Sequence, residues 1–284
     1  MSFDDNAELD TSQVTDARGG GGFGIPGGGR TIGGGIAGLL LTVVLGLLGV
    51  NGALPGISDS GSDGRKLAEK CAASNPNRFD ETDCRNVAYV NDIQQYWASV
   101  LGDRYSPART VFFSRAVRTG CGDASSAAGP FYCPADGLVY VDLSFYDELA
   151  TRFGAPGQFA QAYVLAHEYG HHIQNLTGTE REIRRLQQSD PGRANRYSVA
   201  LELQADCYAG VWAAHAGGGP VAEVSAADIR AGLQAAAAVG DDAIQGSDVH
   251  QETWTHGSSA QRQQWFTRGH QTGDPGACDT LGSP

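Results

Sequence analysis

Between Thr31 and Leu54 the chain reads TIGGGIAGLLLTVVLGLLGVNGAL, without one charged side chain. No other stretch restricts the architecture as much. At ~1.5 Å of rise per residue, about 20 such residues span the hydrocarbon core of a bilayer. A cleaved signal peptide is the competing reading, but the run is longer than a usual signal core and a polar segment of 30 residues precedes it. A buried soluble helix fits less well still, because five glycines within residues 31–46 would weaken it in water. The sequence therefore predicts one transmembrane anchor helix over 31–54. Residues 1–30, which end ARGGGGFGIPGGGR, bury too little apolar surface to fold and are expected to form a flexible tail. Residues 55–284 are expected to carry one soluble domain, entered through a linker, PGISDSGSDG, at 55–64.

The charges flanking the run say little about orientation: Arg18 and Arg30 precede it, and Arg65, Lys66 and Lys70 follow it. The cysteines say more. Cys71, Cys84, Cys121, Cys133, Cys207 and Cys278 all lie after the run, and none belongs to a CxxC pair. That counts against a structural zinc knuckle and against a redox protein. An even set on one side reads as disulfides in an oxidising compartment. Nearness in sequence suggests Cys71–Cys84 and Cys121–Cys133, leaving Cys207 with Cys278, among the many connectivities six cysteines allow. The expected location is a membrane, single-pass, with the domain on the extracytoplasmic side. The formal net charge of -12 argues against the clustered Lys and Arg that a nucleic-acid surface needs, so no nucleic-acid partner is expected.

Hydrophobic spacing gives a coarse map. Residues 65–101 are mostly helical, with VAYVNDIQQYWASVLG placing apolar residues three and four apart. TVFFS at 110–114 and LVYVDLSF from Leu138 read as strands. The segment between them, GCGDASSAAGPFYCPADG at 120–137, reads as a turn-rich loop pinned by a Cys121–Cys133 bridge. Helices follow at 158–175, 198–216 and 226–239, and THGSSAQRQQWFTRG looks like a turn into a final short helix. The fold class is α+β, with helices dominant and one small sheet.

The chemistry concentrates in AYVLAHEYGHHIQNL, residues 162–176. His167 and His171 stand i and i+4 on the predicted helix and face the same way. Two imidazoles so placed can hold one zinc ion, with Glu168 set beside the metal as a base for a water. His172 lies about 100° further round and is a poor ligand, better read as an exposed or capping histidine. HExxH needs a third ligand. In one variant of the motif a histidine follows six residues after the second; Thr177 stands there and excludes it. ALELQADCYAG offers Glu202 and Asp206, again four apart, among apolar neighbours where two acids want partners. The arrangement is similar to thermolysin-like zinc peptidases, in which a glutamate on such a helix completes the metal site. An aspartate one turn later accepts from the far nitrogen of a zinc histidine, which fixes its tautomer.

GPFYCPADGLVYVDLSF, then HEYGHHIQ, ELQADCYAG, THGSSAQRQQWF and a C-terminal CDT together resemble the bacterial neutral zinc metallopeptidase family over nearly the whole chain. The resemblance implies a zincin-like metallopeptidase domain and a layout of glycine-rich tail, one membrane span and one domain. It implies one zinc ion on His167, His171 and Glu202, Glu168 as catalytic base, Asp206 behind a zinc histidine, and a peptide or protein substrate. His256 in THGSSAQR is a candidate donor to the oxyanion, because a similar Thr-His segment follows the zinc glutamate in membrane-bound prenyl-protein peptidases. A packing or capping role fits His256 as well, and Arg262 reads as structural or substrate-binding. Zincin domains set an edge strand above the active-site helix, and Leu138–Asp142 is the candidate to pair with an extended substrate; the GPFYCPADG loop either walls the cleft or is a pinned structural loop. Two other readings remain open: a catalytically idle zinc scaffold at the membrane surface, which has no need of Glu168, and a zinc hydrolase of another amide bond.

Overall fold

The computed structural model of the chain describes residues 1–18, 63–245 and 251–282. The expected anchor over 31–54 and nearly all of the expected linker lie outside them. Among the described residues no helix is long and apolar enough to cross a membrane.

In chain order the strands are β1 (Ser2–Phe3), β2 (Val14–Asp16), β3 (Thr110–Phe113), β4 (Ala116–Thr119), β5 (Gly122–Ser125), β6 (Phe131–Cys133), β7 (Leu138–Asp142) and β8 (Val221–Glu223). The helices are α1 (Asp63–Lys70), α2 (Thr82–Leu101), α3 (Phe145–Thr151), α4 (Gln158–Thr177), α5 (Thr179–Ser189), α6 (Ala194–His215), α7 (Ala226–Ala238), α8 (Asp241–Gln245) and α9 (Ser259–Thr272). The α+β expectation holds, with helices dominant. Besides the four-stranded sheet, two small two-stranded pairs form, β1 with β8 and β4 with β5.

The larger sheet has the order β2-β3-β7-β6, in which β2, β3 and β7 run parallel and β6 runs antiparallel to β7. All four residues of β3 are buried, as an uninterrupted TVFF run on an inner parallel strand requires. Two expectations are corrected here. Leu138–Asp142 is an inner strand, paired with β3 over Val139–Asp142 and with β6 over Leu138–Tyr140, so it is not the free edge expected to take a substrate strand; the edge on that side is β6. Residues 120–137 are not only loop, because they hold β5 and β6.

The expected flexible tail is also corrected, over residues 1–18. Val14 and Thr15 are buried, and β2 pairs with β3 in register Val14 to Thr110. Sequence spacing misses this because the segment is polar overall. Its cohesion comes from contacts with residues more than 70 positions away, such as Arg78 and Asn91. Asp63 and Gly64, assigned to the linker, open α1.

The helical layer is built around α4, α6 and α9. Both α4 and α6 carry long runs of buried residues, so each is covered on most sides. Gly178, at φ +87°, ends α4 in the left-handed conformation. Capping boxes start α7 at Ser225 and α9 at Ser258. Helices α6 and α9 approach so closely that a Cβ on Gly269 would lie 2.0 Å from the Cys207 carbonyl oxygen. The disulfides are Cys71–Cys84, Cys121–Cys133 and Cys207–Cys278, the pairing expected from sequence.

Candidate metal centre

Helix α4 supplies His167, Glu168 and His171, and α6 supplies Glu202 and Asp206. The glycine of HEYGH brings the two helices together. A Cβ on Gly170 would stand 2.9 Å from the Ala205 Cα, so only glycine allows this approach. Glu202 is thereby placed between the imidazoles. Its Oε2 lies 3.1 Å from His167 Nε2 and its Oε1 3.5 Å from His171 Nε2. One ligand atom from each of the three residues lies within 4.8 Å of the others. The rings stand perpendicular, 4.8 Å between centroids.

Each imidazole has its outer nitrogen fixed. His167 Nδ1–H donates to Asp206 Oδ1 at 2.9 Å, and His171 Nδ1–H to Gln174 Oε1 at 2.8 Å. Both Nε2 lone pairs are thus free to face the carboxylate of Glu202. Two imidazoles and one carboxylate, converging and buried, are the donor set of a zinc site that keeps a fourth position open. The residues fit the ion. Without it, burial would lower the His167 pKa, but the Asp206 and Glu202 carboxylates outweigh burial and raise it to about 10. Burial would raise the Glu202 carboxyl; the cationic histidines, His171 first, instead hold it well below the usual range.

Asp206 is fully buried and saturated with donors. Its Oδ1 accepts from Tyr163 at 2.6 Å as well as from His167, and its Oδ2 accepts from Arg262 Nε at 2.7 Å. Arg262 also reaches Oδ1, at 3.0 Å, and donates to the Val239 carbonyl. Arg262 is therefore a partner of the metal centre through Asp206, a role the sequence left undecided. Gln174 was missed, although its i+3 spacing from His171 marks the same helix face. It donates onward to the Leu201 carbonyl at 2.7 Å.

Glu168 is 8 % exposed, and burial lifts its carboxyl above the ordinary value while the Tyr132 backbone N–H hydrogen-bonds it. Tyr132 belongs to β6, so the edge strand sits directly on the proposed base. His172 is buried, not exposed or capping. Its Nε2–H donates to the Ser106 carbonyl at 2.7 Å, and its Nδ1 accepts from the Tyr132 hydroxyl at 3.2 Å. It is a fastening for β6 and not a ligand.

His256 lines the same cavity as His167, Glu168, His171 and Glu202. The loop that carries it is organised by Asp241, which is 0 % exposed. Asp241 Oδ2 accepts the backbone N–H groups of Thr255, His256 and Gly257 at 2.9, 2.7 and 2.9 Å. Ala128, Gly129, Pro130 and Phe131 also line the cavity, so the loop before β7 does wall it. Phe145, Phe153, Val164, Val239 and Ile244 add an apolar wall to the same cavity.

Two helices that carry HExxH and ExxxD around one buried donor set define a zinc centre of the metallopeptidase kind. Residues 3–281 match the family described as "Putative neutral zinc metallopeptidase", and the chain belongs to that family. Among its relatives, "Uncharacterized protein Rv2575" of Mycobacterium tuberculosis is 48% identical over 235 residues, 78% of each chain. "Uncharacterized protein YpfJ" of Escherichia coli is 40% identical over 268 residues, 93% of this chain and 91% of that one. No solved structure matches. Zinc is the cofactor of the family, and the His167, His171 and Glu202 group can hold one ion.

Proposed function

We propose that the chain is a zinc-dependent peptidase with Glu168 as its general base. The observation that carries this reading is the position of Glu168, buried beside the donor set and under the edge strand β6. A scaffold that only binds zinc has no use for an acid there. Zinc held by His167, His171 and Glu202 supplies Lewis acidity, lowering the pKa of a water and polarising a carbonyl.

The protein's own groups do the rest. An extended peptide adds to the outer edge of β6, which lays its backbone across the donor set. Glu168 takes a proton from the attacking water and delivers it to the leaving amine; its raised carboxyl suits both halves of that exchange. His256 donates to the developing oxyanion. Asp206, Tyr163 and Arg262 keep His167 in the tautomer that turns Nε2 inward. The apolar wall of Phe145, Phe153, Val164, Val239 and Ile244 accepts a bulky apolar side chain next to the cleaved bond. The three disulfides support an oxidising, extracytoplasmic location, and the uncharged run at 31–54 supports attachment to a membrane.

The test uses the full chain loaded with zinc, a mixed peptide library, and the variant Glu168→Gln. The wild type is expected to cleave next to large apolar residues. The variant is expected to hold one zinc and lose about 10²–10⁴-fold in turnover. Equal cleavage by both would remove Glu168 from the mechanism, and zinc binding with cleavage by neither would favour a scaffold. Loss of turnover in His256→Ala supports the oxyanion role, and full turnover removes it.

A further inference from the structure

The N-terminal residues are bound into the domain by groups that would be orphaned without them. Arg78 is 1 % exposed, and its Nη2 donates to the carbonyls of Asp4, Asp5 and Ala7 at 3.2, 2.9 and 2.8 Å. Asn91 and the backbone of Asp10 exchange two hydrogen bonds, at 2.8 and 3.0 Å. Gln94, also buried, donates to Gln13 at 2.7 Å. Phe3 stacks on Phe79 at 4.4 Å. Strand β2 covers the edge of β3, which would otherwise expose a row of unpaired backbone groups.

The two flanks of residues 19–62 also meet. Arg18 Nη2 and Lys70 Nζ donate to the same carboxylate oxygen, Asp83 Oδ2, at 3.0 and 3.1 Å. A segment that crosses a bilayer once delivers its ends about 30 Å apart, on opposite sides. Crossing twice takes about 20 apolar residues each way, and the uncharged run from Thr31 to Leu54 is too short for that. We infer that residues 1–18 share one folded unit, and therefore one compartment, with the domain they pack into. This inference holds whatever the zinc site does.

The test uses the full chain in intact cells. All six native cysteines are in disulfides, so an added thiol is the only one a maleimide finds. Glu8→Cys reports on the N-terminal segment and Gln188→Cys, on α5, reports on the domain; both positions are exposed. A membrane-impermeant maleimide is expected to label the two alike, before and after permeabilisation. Labelling of Gln188→Cys alone in intact cells, with Glu8→Cys reached only after permeabilisation, would overturn the inference. A second reading comes from hydrogen exchange on the purified full chain. Amides of Val14–Asp16 are expected to be protected like those of β3, and fast exchange there alone would overturn it too.

Discussion

At the scale of single residues, Arg262 and His172 carry consequences that can be measured. Arg262→Met removes the cation from a fully buried carboxylate and loosens the hold on His167. Zinc affinity, read by chelator competition, is expected to fall about 10–100-fold. Arg262→Lys keeps the charge but not the planar fork, and is expected to fall between the two. An unchanged affinity in Arg262→Met would confine the arginine to packing. His172 is held neutral: burial lowers its pKa below the ordinary 6.5. The folded state therefore binds fewer protons there than the unfolded chain. The stability this group contributes is present above about pH 6.5 and is lost as pH falls through the lower, folded value. Acid is expected to loosen β6 first, seen as faster exchange at Phe131–Cys133 below about pH 6.5 than above it, with the difference absent in His172→Gln.

At the scale of elements, the pairing of α4 with α6 decides whether a metal site exists. Gly170→Ala forces a Cβ against the Ala205 backbone. The expected cost is about 1–3 kcal/mol, together with weaker zinc binding, because Glu202 moves with α6. A variant of undiminished stability and zinc affinity would show that the helices have room to spare. The same pairing explains what was legible beforehand. HEYGH and ELQAD are local i, i+4 patterns, so their residues could be assigned from spacing alone, as could the helices that carry them. The polar N-terminal segment, the inner place of β7 and the reach of Arg262 to Asp206 depend on partners far away in sequence. No periodicity within a short window encodes which strand lies at a sheet edge. LVYVD reads as a strand, but its two neighbours, β3 and β6, are set by the fold.

At the scale of the whole molecule, the three disulfides fasten different parts of one frame. Cys71–Cys84 stands beside Asp83, where the N-terminal segment is held; Cys121–Cys133 anchors the end of β6; Cys207–Cys278 closes a loop of 71 residues onto α6. In the chain-entropy account, losing the last bond costs about 4 kcal/mol. The double variant Cys207→Ala/Cys278→Ala is expected to melt about 10 °C lower in a thermal scan. It should also bind zinc less tightly, since Gln204 on α6 donates to the Cys278 carbonyl. A melting point within a degree or two of the wild type would mean that the α6–α9 packing holds the C-terminal segment without it.

The edge strand β6 has three residues, and the ligands below it are at most 8 % exposed. For a peptidase built this way, entry is a question of shape. A helix about 10 Å across with its side chains, or a strand already paired on both sides, cannot lie down along so short and recessed an edge. A loose end or an unravelled loop can. Such an enzyme would sort its neighbours by conformation before reading their sequence, sparing intact proteins and consuming those that have come undone.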